Sequence, residues 1–173
     1  MEIVENLDQW TQSFRAGWLA HYEQTGETDF KQYTRPRNRQ APAGPGVDLS
    51  QSRLLFITTA GAYLPASQQP FDAESKLGDY TLRAFPVTTP FSAIAYAHTH
   101  YDHAAVDADP QVLMPLRHLE EMVEEGKIGA LAPTVVSFSG YQPDIARVVD
   151  EMIPPILDIA RKEQAHAALL VPA

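Results

Sequence analysis

The sequence predicts an α/β fold: an open, mainly parallel sheet of the doubly wound, Rossmann- or flavodoxin-like kind, flanked by helices. Three observations carry that expectation. Short apolar runs at 53–58, 134–138 and 167–171 are each bounded by turn-forming residues. Amphipathic stretches long enough to be helices, 115–125 and 143–162, lie between those runs. Parallel neighbours need crossovers of a dozen or more residues, and these spacings supply them. A length of 173 residues, 45% hydrophobic and 20% charged, suits one globular domain and excludes wholesale disorder.

Residues 1–50 read as an N-terminal helix followed by an irregular arm, and 51–173 as the α/β core. Within 4–24, Val4, Leu7, Phe14, Trp18 and Leu19 fall on one helical face, and Gly26 can end the helix. From Tyr33 to Gly46, Arg35, Arg37 and Arg39 are interleaved with Pro36, Pro42 and Pro45, the pattern of a solvated loop. Arg53–Thr58 is a buried strand ending in Thr58-Thr59-Ala60-Gly61. Tyr80–Phe85 is a shorter strand between Gly78-Asp79 and Pro86, and Phe91–Ala97 a third that runs into His98. Residues 115–125 form a helix with Pro115 in its first turn and Gly126 closing it. Thr134–Phe138 is the next strand. A helix opened by Pro143-Asp144 runs through Lys162, kinked or restarted at Pro154-Pro155. Ala167–Val171 is the last strand.

In doubly wound sheets ligands bind outside the carboxyl ends of the strands. Segments 58–61, 98–103, 137–141 and 171–173 are therefore expected on one rim.

Composition narrows the function. Thirteen Lys and Arg against 22 Asp and Glu give a net charge of −9, which argues against a nucleic-acid partner. No apolar run approaches a membrane span and no signal pattern opens the chain, so a cytoplasmic protein without a membrane partner is expected. With no cysteine, the 173 residues hold no disulfide, no Cys-ligated metal and no thiol chemistry. Glu120, Glu121, Glu124 and Glu125 mark a solvated helix face. Trp10 and Trp18 suit a core or a contact between copies, and a homo-oligomer is expected.

His98, His100, Asp102 and His103 fall within six residues directly after an apolar run. Imidazoles and a carboxylate in a loop suit a divalent metal such as Zn, Fe or Mn, and the same groups can move protons near neutral pH. The string also matches the H-x-H-x-D-H motif of the metallo-β-lactamase superfamily. It departs from that pattern afterwards: Ala104-Ala105 stand where a glycine pair is usual. His118 follows too soon, and no strand-rich second half follows His166. A metallohydrolase is thus one alternative, and a non-catalytic binding homologue another.

A longer resemblance covers about two-thirds of the chain. TTAGAYL (58–64), PFD (70–72), GDYTLRAFP (78–86), HTHYDHAAVDADP (98–110), PLRHLEEMVEEGKIGALAP (115–133) and SFSGY (137–141) occur in order and at continuous spacing. In these pieces the chain resembles the selenoprotein B family of glycine, sarcosine, betaine and D-proline reductases, with the D-proline reductase selenoprotein branch nearest. The resemblance implies reductive cleavage of the C–N bond of a small amino acid by a selenocysteine or cysteine. It also implies a partner subunit carrying a pyruvoyl group. On that reading Thr58 and Thr59 offer donors to a substrate carboxylate. His98, His100, Asp102 and His103 protonate the leaving amine or position the nucleophile. Tyr101 packs or donates a phenolic hydrogen bond, and Ser139 with Gly140 forms a tight turn beneath the site.

The family places its nucleophile just after an apolar strand, the position that follows AALLVPA (167–173). A selenocysteine is therefore expected just beyond Ala173, at a UGA codon read as stop, and the polypeptide as given is expected to be inactive alone. The sequenced gene should continue in frame past UGA to a nearby cysteine codon; a gene without that continuation overturns the expectation.

Overall fold

An apolar run such as Leu54-Leu55-Phe56-Ile57 has no polar side to give to water, so its strand must be covered on both faces. The computed structural model, which describes residues 4–33, 36–40, 44–98 and 102–173, buries it in that way. Strand β1 (Arg53–Thr58) is flanked in parallel by β5 (Ala130–Ser137) and β6 (Ala167–Val171). An antiparallel edge strand, β3 (Arg83–Pro86), extends the sheet to the order β3-β5-β1-β6. A separate ribbon pairs β2 (Ala62–Tyr63) antiparallel with β4 (Ala95–Tyr96). The result is the open, mostly parallel α/β sheet that the sequence predicts.

Alternation along β1 sends Leu54 and Phe56 to one face and Leu55 and Ile57 to the other. The first pair packs with Phe85, Met114, Val135 and, from helix α4 (Leu116–Glu124), Leu116 and Leu119. The second pair packs with Ala132 and Val136 against Ile156, Ile159 and Ala160 of helix α6 (Ile153–Lys162). Coverage on the α6 side stops at β1. Ala168 and Leu170 of β6, the register partners of Leu55 and Ile57, are exposed, Leu170 by 53%.

The remaining elements show where local pattern and tertiary context part. The N-terminal segment folds as α1 (Leu7–Phe14), a π-helical turn (Arg15–Leu19) and α2 (Ala20–Thr25), closed by Gly26. Of its expected apolar face, Phe14 and Trp18 are buried, while Val4, Leu7 and Leu19 are half-buried. Trp18 stacks between Phe14 and Tyr22, at centroid distances of 5.4 and 5.8 Å. Arg35 and Pro42 of the arm lie outside the described residues. β5 begins at Ala130 rather than Thr134, because Pro133 is absorbed in a bulge between the pairs at Leu54 and Phe56. Glu163 takes up the displaced Thr134, accepting from its backbone N–H at 3.2 Å and from its hydroxyl.

Phe91–Ala97 is a strand only at Ala95–Tyr96. Phe91–Ala93 forms a 3₁₀ turn after Pro90, with the Ile94 N–H donating to the Phe91 carbonyl, which leaves two residues for β4. β3 starts three residues later than expected and runs antiparallel to β5, because no helix lies between β1 and β3 to carry the chain back before β3. Pro115 caps α4 rather than occupying its first turn. The helix opened by Asp144 restarts at the proline pair: α5 (Ile145–Arg147), a π-helical turn (Val148–Met152), then α6 with prolines in its first turn. Prolines lack the N–H that the preceding turn would need. Helix α3 (His103–Ala108), with Asp102 as its cap, was not expected from the sequence. No helix among the described residues is long and apolar enough to cross a membrane.

Uneven coverage of the sheet makes a direct stability contrast. Phe56→Ala, at a fully buried position, should cost about 3–5 kcal/mol, and Leu170→Ala under about 1 kcal/mol. Urea unfolding midpoints check both, and similar costs would contradict the asymmetry.

Candidate functional site

The three parallel strands end together. Thr58 is the register partner of both Ser137 and Val171. Beyond that level the chains remain laced. The Thr59 N–H donates to the Val171 carbonyl, the Phe138 N–H to Thr58 and the Gly61 N–H to Phe138, each at 3.1 Å. Ala60 bridges Ser139. The β2–β4 ribbon adds the fourth segment, since the Ala97 N–H donates to the Gly61 carbonyl at 2.9 Å and sets His98 beside the rim.

A cavity of about 540 Å³ opens there. Thr59, His98, Gly140, Tyr141, Pro172 and Ala173 form its rim side, drawn from all four segments expected to converge. Phe30, from the connection after α2, and Glu74 and Lys76, from the loop before β3, line it as well. Thr59 Oγ1 accepts from the Ala173 N–H at 2.8 Å, which ties the residues after β6 to the cavity wall.

The expected site residues take different places. Thr59 and His98 line the cavity. Thr58 is fully buried beneath it, where its hydroxyl accepts from the Ala60 N–H at 3.2 Å and donates to the Leu113 carbonyl at 3.4 Å. Ser139 is buried, and its carbonyl accepts from the Gln142 amide. Asp102 is exposed and caps α3 by accepting from the Ala104 N–H. His103 borders a second depression with Phe91, Tyr96 and Val106. Its Nε2 lies 2.5 Å from the His98 carbonyl, which can only accept, so that nitrogen carries the proton. His100 and Tyr101 lie outside the described residues. Among the described residues no group of three or more His, Asp or Glu is placed to hold a metal ion.

Sequence reasoning passed over 73–77, the middle of the loop 70–79, which has neither helix nor strand yet is held at several points. Phe71 is buried beneath the Arg83 guanidinium, 4.4 Å from its ring centroid. Arg83 donates to the Gln69 and Pro70 carbonyls at 2.8 and 3.3 Å. The Asp72 N–H donates to the Asp79 carboxylate at 2.9 Å, and the Thr81 N–H and hydroxyl donate to it as well. Tyr141 donates to the Lys76 carbonyl at 3.1 Å. Gly78 adopts φ +82° with the Tyr141 carbonyl 2.7 Å from where a Cβ would stand, so no other residue fits without movement. Partial burial works against the charged form of Asp79, but bonds from Thr81 and Asp72 outweigh it and hold the carboxyl below its ordinary value. Burial, with Tyr33 and Tyr22 nearby, raises the Tyr141 phenol, which keeps it a donor.

A family model described as glycine/sarcosine/betaine reductase selenoprotein B matches residues 24–166. The chain belongs to that family. Two curated relatives agree. The D-proline reductase subunit gamma of Acetoanaerobium sticklandii is 26% identical over 123 residues, covering 71% of this chain and 49% of that protein. The sarcosine reductase complex component B subunit beta of Peptoclostridium acidaminophilum is 28% identical over 120 residues, covering 66% of this chain and 27% of that protein. This selenoprotein B family chain thus spans about half the length of the first relative and about a quarter of the second. Both relatives are named as subunits, the second of a complex. No solved structure matches the chain.

Asp79 offers a test of how the loop is held. In Asp79→Asn an amide donor can face the Asp72 N–H, and the loop should loosen, with faster amide exchange at 72–78. A carboxyl whose folded-state pKa is lowered contributes stability that is full above its unfolded value, near 3.9, and is lost as pH falls through the folded value. The stability gap between wild type and Asp79→Asn should therefore be full at neutral pH and close in acid; urea midpoints across pH check it.

Proposed function

We propose that this chain is the substrate-holding part of a selenol- or thiol-dependent reductase that cleaves the C–N bond of a small amino acid. The substrate is of the D-proline, glycine, sarcosine or betaine type. One observation carries the reading most directly: the cavity at the carboxyl ends of β1, β5 and β6 includes Pro172 and Ala173 in its wall. The family resemblance implies a nucleophile just after that strand, and β6 leads to the cavity.

The roles of this chain's own groups follow from where they stand. Thr59 has a hydroxyl at the wall, already accepting from the Ala173 N–H, so it fixes the geometry of the segment after β6. His98, half-buried beside the ribbon, is the imidazole nearest this role and can deliver a proton to a departing amine. Thr58 acts beneath the site by holding the turn that carries Thr59. The tight approach of Gly140 to Thr59, 3.3 Å from its hydroxyl to an added Cβ, keeps the floor open. A selenol or thiol supplies the electron pair that displaces the amine. Since the 173 residues contain no cysteine, they are inactive in reductive cleavage by themselves. A pyruvoyl-containing partner subunit and self-association belong to the same proposal, which places the complex in the cytoplasm.

The absence of cysteine makes a clean test, because an introduced thiol is the sole one. Alkylation of Ala173→Cys by iodoacetamide should slow severalfold with saturating D-proline or sarcosine. Ala168→Cys, on the exposed side of β6, should react at an unchanged rate. No slowing at Ala173→Cys, or equal slowing at both, overturns the reading.

A further inference from the structure

The loop 70–79 presents a combination that stability alone does not explain. Its backbone is fixed by Arg83, Asp79 and Tyr141, as an unsupported coil would not be. Two side chains of opposite charge, Glu74 and Lys76, are exposed on it, and no ion pair joins either to a described residue. Both line the cavity. A rigid backbone carrying two unneutralised opposite charges is preorganised for a ligand that carries both signs.

Phe30 adds the second observation. It is 57% exposed, yet its ring meets that of Tyr141 edge to face, 6.4 Å between centroids and 71° between planes. Both rings line the same cavity. Tyr141 is held in place by its bond to the Lys76 carbonyl. An aromatic surface beside a carboxylate suits one kind of cation in particular. Alkyl groups on nitrogen spread its charge, remove N–H donors that water would satisfy, and offer apolar area to a ring face. A primary ammonium keeps its three donors and its hydration.

Resting on the proposed function, we propose that Lys76, Glu74 and the Phe30–Tyr141 pair select N-alkylated amino acids. Lys76 takes the carboxylate, Glu74 the cationic nitrogen, and the aromatic pair its alkyl groups. Sarcosine, betaine and D-proline are then preferred over glycine. These are specificity residues, lining the same cavity as Thr59 and His98.

The Ala173→Cys background reads this directly, as the ligand concentration giving half-maximal protection from iodoacetamide. Betaine, sarcosine and D-proline should protect at lower concentrations than glycine. Lys76→Met should raise the half-protecting concentration about tenfold or more for every ligand, as loss of a bond to a charged group implies, and Lys76→Arg should restore most of it. Glu74→Gln should also raise it, and Phe30→Leu should raise it for betaine and sarcosine more than for glycine. The three side chains are exposed, so unfolding midpoints should stay near wild type. Protection that is unaffected by Lys76→Met, or equal for glycine and betaine, overturns the selection while the cavity reading stands. No protection of Ala173→Cys by any of the four ligands removes the cavity reading, and the selection with it.

Discussion

The rim depends on β1 being hydrogen-bonded in parallel register on both sides. Thr58 is level with Ser137 on one flank and Val171 on the other, and each chain leaves the sheet at that height. Parallel strands reach a common end only through long crossovers, and each crossover here brings a helix to one face of the sheet. The same constraint that buries Leu55 and Phe56 therefore gathers Thr59, Gly140 and Ala173 at the top. Core and site are consequences of a single register. A slip of one residue would invert the faces of a strand and separate the groups around the cavity.

Much of this was legible in residues 53–58 and 167–171, whose bounds agree with the structure because an apolar run between turn residues leaves few choices. The convergence of Thr59, His98, Gly140 and Pro172 followed from the same pattern and the rule for open α/β sheets. Pairing direction was less legible. β3 and β4 are set by how the chain travels from Gly61 to Met114, and the intervening prolines and small residues carry no periodic signal of their own. Pro133 hid the start of β5, since a proline inside a central strand is ordinarily evidence against one.

Individual site residues divide along similar lines. Thr59 and His98 could be picked out because they follow strands. Glu74, Lys76 and Phe30 could not: charged residues and a single aromatic in connecting segments look ordinary until folding places them around one space. The pieces PFD and GDYTLRAFP flank Glu74 and Lys76, so the resemblance drew attention to the ends of the loop and skipped its middle. Thr58 shows the opposite case, a hydroxyl next to the site in sequence that folding directs to the Ala60 and Leu113 backbone.

The outer edge of β6 has a bearing on handling the protein. Ala167–Val171 contains no lysine, proline or bulge, the devices by which natural sheet edges avoid pairing with another chain, and Leu170 stands exposed beside it. Against that stickiness works a net charge of −9, which keeps copies apart over about a Debye length. Salt shortens that reach and leaves backbone pairing untouched. Ionic strength thus becomes the practical control over whether preparations stay dispersed, and dilute low-salt buffers are the natural conditions for studying single copies.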